Sequence, residues 1–150
     1  MILGNFKGFP TTKLLGVDWG ARRTGIAVSF DDGMFVATRP VITMARYSHT
    51  ELAEKIAKIA AGEKCTGIVV GLPLRMDGTE SETTVQVREF ANVLAEQTDL
   101  PIVLLDETLS SADAQETLGR VHRADIKEKL DSAAARVILE NAISMIKRKC

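Results

Sequence analysis

Cysteine, proline and aromatic residues are scarce in this chain, and no long apolar run crosses it. Only two of its 150 residues are cysteine, Cys65 and Cys150, far apart and with no Cys or His at ligand spacing. That argues against a disulfide framework or a zinc centre and for a reducing, cytoplasmic setting. No stretch approaches the roughly 18 apolar residues that a membrane span needs, and the opening MILGNFKGFPTTK lacks the apolar core of a secretory leader. A soluble protein with no membrane partner is therefore expected. Aromatics make up 5% of the residues, with Trp19 the single tryptophan, so a broad stacking platform for unpaired bases is not expected. The net charge is −1, which leaves any binding of nucleic acid to local basic patches.

What the chain does have is 45% hydrophobic residues, enough for one compact domain over residues 13–150 behind an N-terminal extension, 1–12. Lys13 to Trp19 and Gly25 to Phe30 are β-branched runs split by GARRT, which predicts a hairpin, and Met34 to Val41 adds a third strand. Leu52, Ile56, Ile59 and Ala60 recur at helical spacing within His49 to Ala61, before Gly62. GIVVGL (67–72) reads as a strand buried on both faces. Thr79 and Glu82 have capping-box spacing ahead of a helix through Val85, Phe90, Val93 and Leu94 to about Gln97. IVLLD (102–106) is a further buried strand, and Ser110 with Asp113 opens a short helix ending near Gly119. A long final helix places Leu130, Ala134, Val137, Ile138, Asn141, Ala142, Met145 and Ile146 on its inner stripe. Strands joined through helices are parallel, so the expectation is an α/β fold: a mixed five-stranded sheet, antiparallel at its start and parallel later, flanked by helices.

Ligands gather at the carboxyl ends of such strands, and three acids are natural candidates to meet there. Asp18 ends the first strand, Glu107 follows IVLLD, and Asp131 opens the small-residue stretch DSAAAR of the last helix. Each also has a plain structural reading: Asp18 as a turn residue beside Gly20, Glu107 as a loop acid, Asp131 as a cap. Asp106 is an alternative to Glu107, because neighbouring strand residues face opposite sides. If three carboxylates converge, a like-charge pair at about 4 Å costs on the order of 4 kcal/mol at an effective dielectric near 20. Mg²⁺ or Mn²⁺, as a pair of ions, is the expected counter-charge, and such pairs serve phosphoryl displacement.

GVDWGARRTGIAVS, GIVVGLPLRMDGTESETTVQVREFANVL, IVLLDETLSSADA and KLDSAAARVIL, in that order, resemble the signature blocks of the YqgF/RuvX family. That resemblance implies an RNase H-like fold and a metal-dependent endonuclease, with Asp18, Glu107 and Asp131 as catalytic acids and metal ligands. It also implies a role in maturing the 5′ end of precursor 16S rRNA during ribosome biogenesis. Branched DNA of the Holliday-junction type is the alternative substrate, and a non-enzymatic ribosome-assembly factor the alternative function. Thr108 stands where the family pattern places an arginine, which removes a cation able to contact phosphate.

Candidate phosphate contacts are Arg22 and Arg23 in the first hairpin, Arg75 in LPLRMDGTES, and Arg123 and Lys127 ahead of Asp131, beside Arg120 and Lys129. His122 is expected at the surface with no catalytic role. The expected partners are precursor rRNA or branched DNA and a ribosomal precursor particle, with the chain a monomer or a homodimer.

Overall fold

The computed structural model describes residues 1–107 and 123–148, and the side chains of 1–107 and 133–147. Six strands form one sheet: β1 (Ile2–Leu3), β2 (Leu14–Asp18), β3 (Arg23–Phe30), β4 (Phe35–Thr43), β5 (Gly67–Pro73) and β6 (Ile102–Glu107), in the order β1-β6-β5-β2-β3-β4. β2, β5, β6 and β1 run parallel, while β3 and β4 are antiparallel additions to β2. The mixed sheet was expected, with five strands. The sixth lies in the stretch expected to be an extension: Ile2 and Leu3 pair with Ile102 and Val103, and Phe6 and Phe9 are buried in the core. A two-residue strand is too short to carry a period-two signal, so only its pairing with β6 reveals it.

Strand alternation divides the core into two. Leu15, Val17, Ile26, Val28, Ile68, Val70 and Leu72 face α1 (His49–Gly62) and α2 (Glu82–Gln97), where Leu52, Ile56, Val87, Phe90 and Leu94 close a large apolar cluster. Leu14, Ala27, Val69, Val103 and Leu105 face the opposite side and pack against α3 (Arg123–Arg148).

α3 sits very close to the sheet because glycine lies beneath it. A Cβ at Gly16 would fall 2.9 Å from Leu139 Cβ and 3.0 Å from the Ala135 carbonyl oxygen, and one at Gly71 would fall 2.4 Å from Ile138 Cδ1. The buried stripe of α3 is Ala134, Ala135, Ile138, Leu139, Ala142, Ile143 and Ile146. It is therefore rotated from the predicted one: Asn141 and Met145 are exposed, because the larger apolar pair Leu139 and Ile143 takes the inward positions. Leu130 and the predicted helix from Ser110 to Gly119 lie outside the described side chains and residues respectively.

The start of α2 also differs. Its cap is Ser81, whose hydroxyl accepts from Thr84 N while Thr84 returns a bond to the Ser81 backbone. Thr79 does not cap: its N–H, which a capping box would give to Glu82, donates to Asp77 Oδ1, as does its hydroxyl. Glu80 is still extended and bridges Leu74. Val85 is consequently exposed rather than inward.

Candidate active site

The first hairpin is tight for a reason visible in its sequence. A side chain at Gly20 would put its Cβ 2.1 Å from the Arg23 carbonyl oxygen, so only glycine fits. Thr24 holds the turn, its hydroxyl donating to the Gly20 carbonyl at 3.0 Å and accepting from Gly20 N at 3.4 Å. This turn places Asp18, half-buried, at the carboxyl end of β2 and opposite Gly25 of β3.

Register and alternation decide between the two acids at the end of β6. Ile102 packs on the α1/α2 side, Val103 and Leu105 on the α3 side. Asp106 therefore belongs with the α1/α2 side and is exposed, lining a cavity with Leu72, Leu104 and Arg88. Glu107 belongs to the α3 side, the same side as Leu14, Gly16 and hence Asp18. Val17 pairs with Val70 and Pro73 with Glu107, so β5 lies between the two acids and presents Gly71 there. Glu107 Cγ lies 3.5 Å from where a Gly71 Cβ would stand, spread over the glycine between β6 and β2. With neighbouring strands about 4.8 Å apart, β2 and β6 are about 10 Å apart, and Glu107 lies two residues further along, level with Pro73 rather than with Gly71. Neither Asp18 nor Glu107 is without an interaction partner.

The third expected acid, Asp131, lies in α3, and its side chain is outside the described residues, as are those of Arg123, Lys127 and Lys129. Thr108, Arg120 and His122 fall outside the described residues altogether. Among the described residues no three ligating side chains cluster; Asp18 and Glu107 share the α3 face at the carboxyl ends of β2 and β6. Both are hard oxygen donors, a set that suits a divalent cation such as Mg²⁺ or Mn²⁺, while the space directly above Gly71 is taken by Ile138 of α3.

The hairpin arginines diverge. Arg22 is exposed in the turn, its carbonyl accepting from Met44 N at 3.0 Å. Arg23, at the start of β3, alternates with Gly25 and Ala27 and so faces the α3 side with Asp18. Its Nη1 is buried and has no hydrogen-bond partner among the described residues, a donor that a buried anion would satisfy. Arg75 is exposed beyond β5. Trp19 is tied at its edge: its indole N–H donates to Tyr47 Oη at 2.7 Å, and the two rings stand nearly perpendicular. The Tyr47 hydroxyl bonds in turn to His49 Nδ1. Burial raises the Tyr47 pKa, and the Trp19 bond pulls it back in part. Sequence reading missed the site's glycine floor; the signal was Gly71 inside an otherwise apolar strand, which marks close approach of another group.

The sheet order, the helix on each face and the carboxylates at the parallel strand ends make this an RNase H-like α/β protein. A family model described as "RuvX: Holliday junction resolvase" matches residues 12–145, and the chain belongs to that family. A "Putative pre-16S rRNA nuclease" of Maridesulfovibrio salexigens is 42% identical over 130 residues, covering 85% of this chain and 95% of the relative. One of the same name from Rickettsia canadensis is 36% identical over 155 residues, 99% of each. Among solved structures, T. thermophilus RuvC in complex with a Holliday junction substrate matches with a TM-score of 0.57 at 10% identity, covering 91% of this chain and 96% of that one. The yeast mitochondrial Holliday junction resolvase Ydc2 matches at 0.53 and 13%, covering 93% and 82%. At those identities the two structures speak for the fold. The chain is accordingly a nuclease, a hydrolase of phosphodiester bonds in nucleic acid. Its fold class implies divalent metal ions, and none of its described helices is long and apolar enough to cross a membrane.

Proposed function

We propose that this chain is a divalent-metal-dependent endonuclease of the cytoplasm that trims the 5′ end of precursor 16S rRNA. The observation that carries the site is the placement of Asp18 and Glu107 on one face, flanking Gly71, with Asp106 turned to the other. Relatives 36–42% identical that carry the pre-16S rRNA nuclease name support the substrate.

Asp18 and Glu107 hold Mg²⁺ or Mn²⁺, and Asp131 completes the set. It lies seven residues ahead of Ile138 in α3, about two turns along the same helix face, and Ile138 is the residue packed on Gly71. A divalent cation bound there supplies positive charge against the phosphate oxygens, including the one that leaves. Arg22, Arg23, Arg75, Arg123 and Lys127 contact flanking phosphates and set the register of the strand. The half-buried setting of the acids limits competing water. Water adds to phosphorus as the bond to the 3′ oxygen breaks, leaving a 5′-phosphate and a 3′-hydroxyl.

The test is cleavage of end-labelled precursor 16S rRNA, and of a synthetic four-way DNA junction, with Mg²⁺, Mn²⁺ or EDTA. Metal-dependent cutting of the RNA that disappears in a folded Asp18→Asn variant is the expected result. Cutting of the junction alone makes branched DNA the substrate. Binding of either without cutting by wild type makes the chain an assembly factor, and wild-type rates in Asp18→Asn remove Asp18 from the reaction.

A further inference from the structure

Beyond Pro73 the chain forms a small, stiff hairpin. Leu74 and Glu80 bridge as antiparallel partners, Arg75 N donates to the Thr79 carbonyl at 2.9 Å, and Gly78 N donates to the Arg75 carbonyl at 2.8 Å. The turn therefore runs Arg75-Met76-Asp77-Gly78, with Gly78 at φ +84°, where glycine is favoured. It is braced from inside and outside. Asp77 accepts two bonds from Thr79, the Thr84 hydroxyl at the start of α2 donates to the Pro73 carbonyl, and Arg88 clamps Glu80 with two bonds of 3.0 Å each. At the tip of this rigid device stands Met76, 85% exposed, the most exposed large hydrophobic residue among those described.

Its position is what matters. Met34 and Phe35 are also exposed, but they join β3 to β4 at the far end of the sheet, because β3 starts at the Asp18 end and runs away from it. Met76 is three residues past Pro73, whose register partner is Glu107, so at most about 10 Å of chain separates it from the acid-bearing edge. That is the span of about three stacked nucleotides at 3.4 Å each. Charge does not explain the tip: Glu80 is taken up by Arg88, and Arg75, the hairpin's phosphate contact, precedes Met76. An apolar tip beside a phosphodiester site is suited to bases, next to the phosphate that Arg75 meets.

We infer that Met76 is a wedge: its thioether inserts between two stacked bases next to the phosphate held at Asp18 and Glu107, opening that step so that the backbone can reach the acids. This rests on the nuclease reading above and adds the part of the substrate it recognises, a stacked base step in structured nucleic acid. Proteins that open a duplex use apolar side chains in this way, and methionine is long and adaptable enough to fill an irregular gap between bases.

The experiment is a scan of 2-aminopurine through positions flanking the cut in precursor 16S rRNA and in the four-way junction. Fluorescence reports unstacking on binding in EDTA, and cleavage is then measured after adding Mg²⁺. Wild type should raise the emission several-fold at one step within three nucleotides of the cut. Met76→Ala should lose that rise while its affinity, read by anisotropy, stays within about threefold, and Met76→Leu should restore it. Turnover of the paired substrate should fall at least tenfold in Met76→Ala, with cleavage of the same linkage in an unpaired strand within twofold of wild type. Absence of any rise with wild type, a rise undiminished in Met76→Ala, or equal loss on paired and unpaired substrate would overturn the wedge. Because the fluorescence is read without cleavage, these outcomes are distinct from a failure of the Asp18 assignment, which shows as wild-type cutting by Asp18→Asn.

Discussion

The two faces of this sheet are made from the same strands and differ in almost everything else. On the α1/α2 side, branched and large side chains interdigitate without interruption, from Leu15 and Val17 through Val70 and Leu72 to Phe90. On the α3 side, Gly16 and Gly71 interrupt the run, the helix descends onto the backbone, and the row ends in Asp18 and Glu107. Both faces bury an apolar cluster, but the α3 face gives up side-chain volume at its glycines for closeness and ends in a place to hold charge. The two faces alternate with a period of two along each strand, so a single step along β6, from Asp106 to Glu107, crosses from the uninterrupted face to the glycine-broken one.

That division is broken most strongly by the acids themselves. Glu107→Gln and Asp18→Asn should each lower cleavage of precursor rRNA by more than about 100-fold, since even outer partners of metal ligands commonly cost 10–100-fold. Asp106→Asn, one residue away on the other face, should stay within about threefold of wild type. The next largest effect is on folding. Phe90→Ala empties a fully buried site on the α1/α2 face and should cost about 3–5 kcal/mol, read as a fall in Tm, with the folded fraction retaining its specific activity. Gly71→Ala should strike both properties at once. Its Cβ would meet Ile138 Cδ1 at 2.4 Å, so a loss of about 1–3 kcal/mol from overpacking should accompany a drop in turnover as α3, the helix of Asp131, is pushed away from the sheet.

The smallest effect concerns the rim. Arg39 donates to Glu63 from β4 to the end of α1, and that bond holds the Glu63 carboxyl below its ordinary value, with burial opposing. A carboxyl whose folded pKa is lowered stabilises the fold above its unfolded pKa, and that contribution is lost as pH falls through the folded value. Melting temperatures between pH 7 and pH 3 should therefore fall more steeply in wild type than in Glu63→Gln, by an amount worth a few tenths to about 1 kcal/mol, because the pair is partly exposed.

Much of this was legible in the residues. GARRT between two β-branched runs, the helical spacing from Leu52 to Ala60 and the apolar GIVVGL each specify their element through local periodicity alone, and the family blocks single out Asp18, Glu107 and Asp131 as candidates. Three things were not legible, for separable reasons. β1 is two residues long and exists only through pairing with β6, which is tertiary information. The stripe of α3 is ambiguous because apolar residues occur on overlapping helical phases, and only the sheet beneath decides which phase turns inward. The cap of α2 lies two residues later because Thr79 is held in a local turn with Asp77, while Ser81 and Thr84 complete the capping box. The choice between Asp106 and Glu107 belongs to the same class: alternation shows that they face opposite sides, and the packing of Val103 and Leu105 against α3 says which side is which.

The most direct test of the two-faced account is Mn²⁺ binding followed by electron paramagnetic resonance in wild type, Asp18→Asn, Glu107→Gln and Asp106→Asn. The account predicts that wild type and Asp106→Asn bind the ion alike, while Asp18→Asn and Glu107→Gln each weaken it at least tenfold with melting temperatures preserved. Equal binding by Glu107→Gln, or a loss in Asp106→Asn matching that in Asp18→Asn, would contradict it.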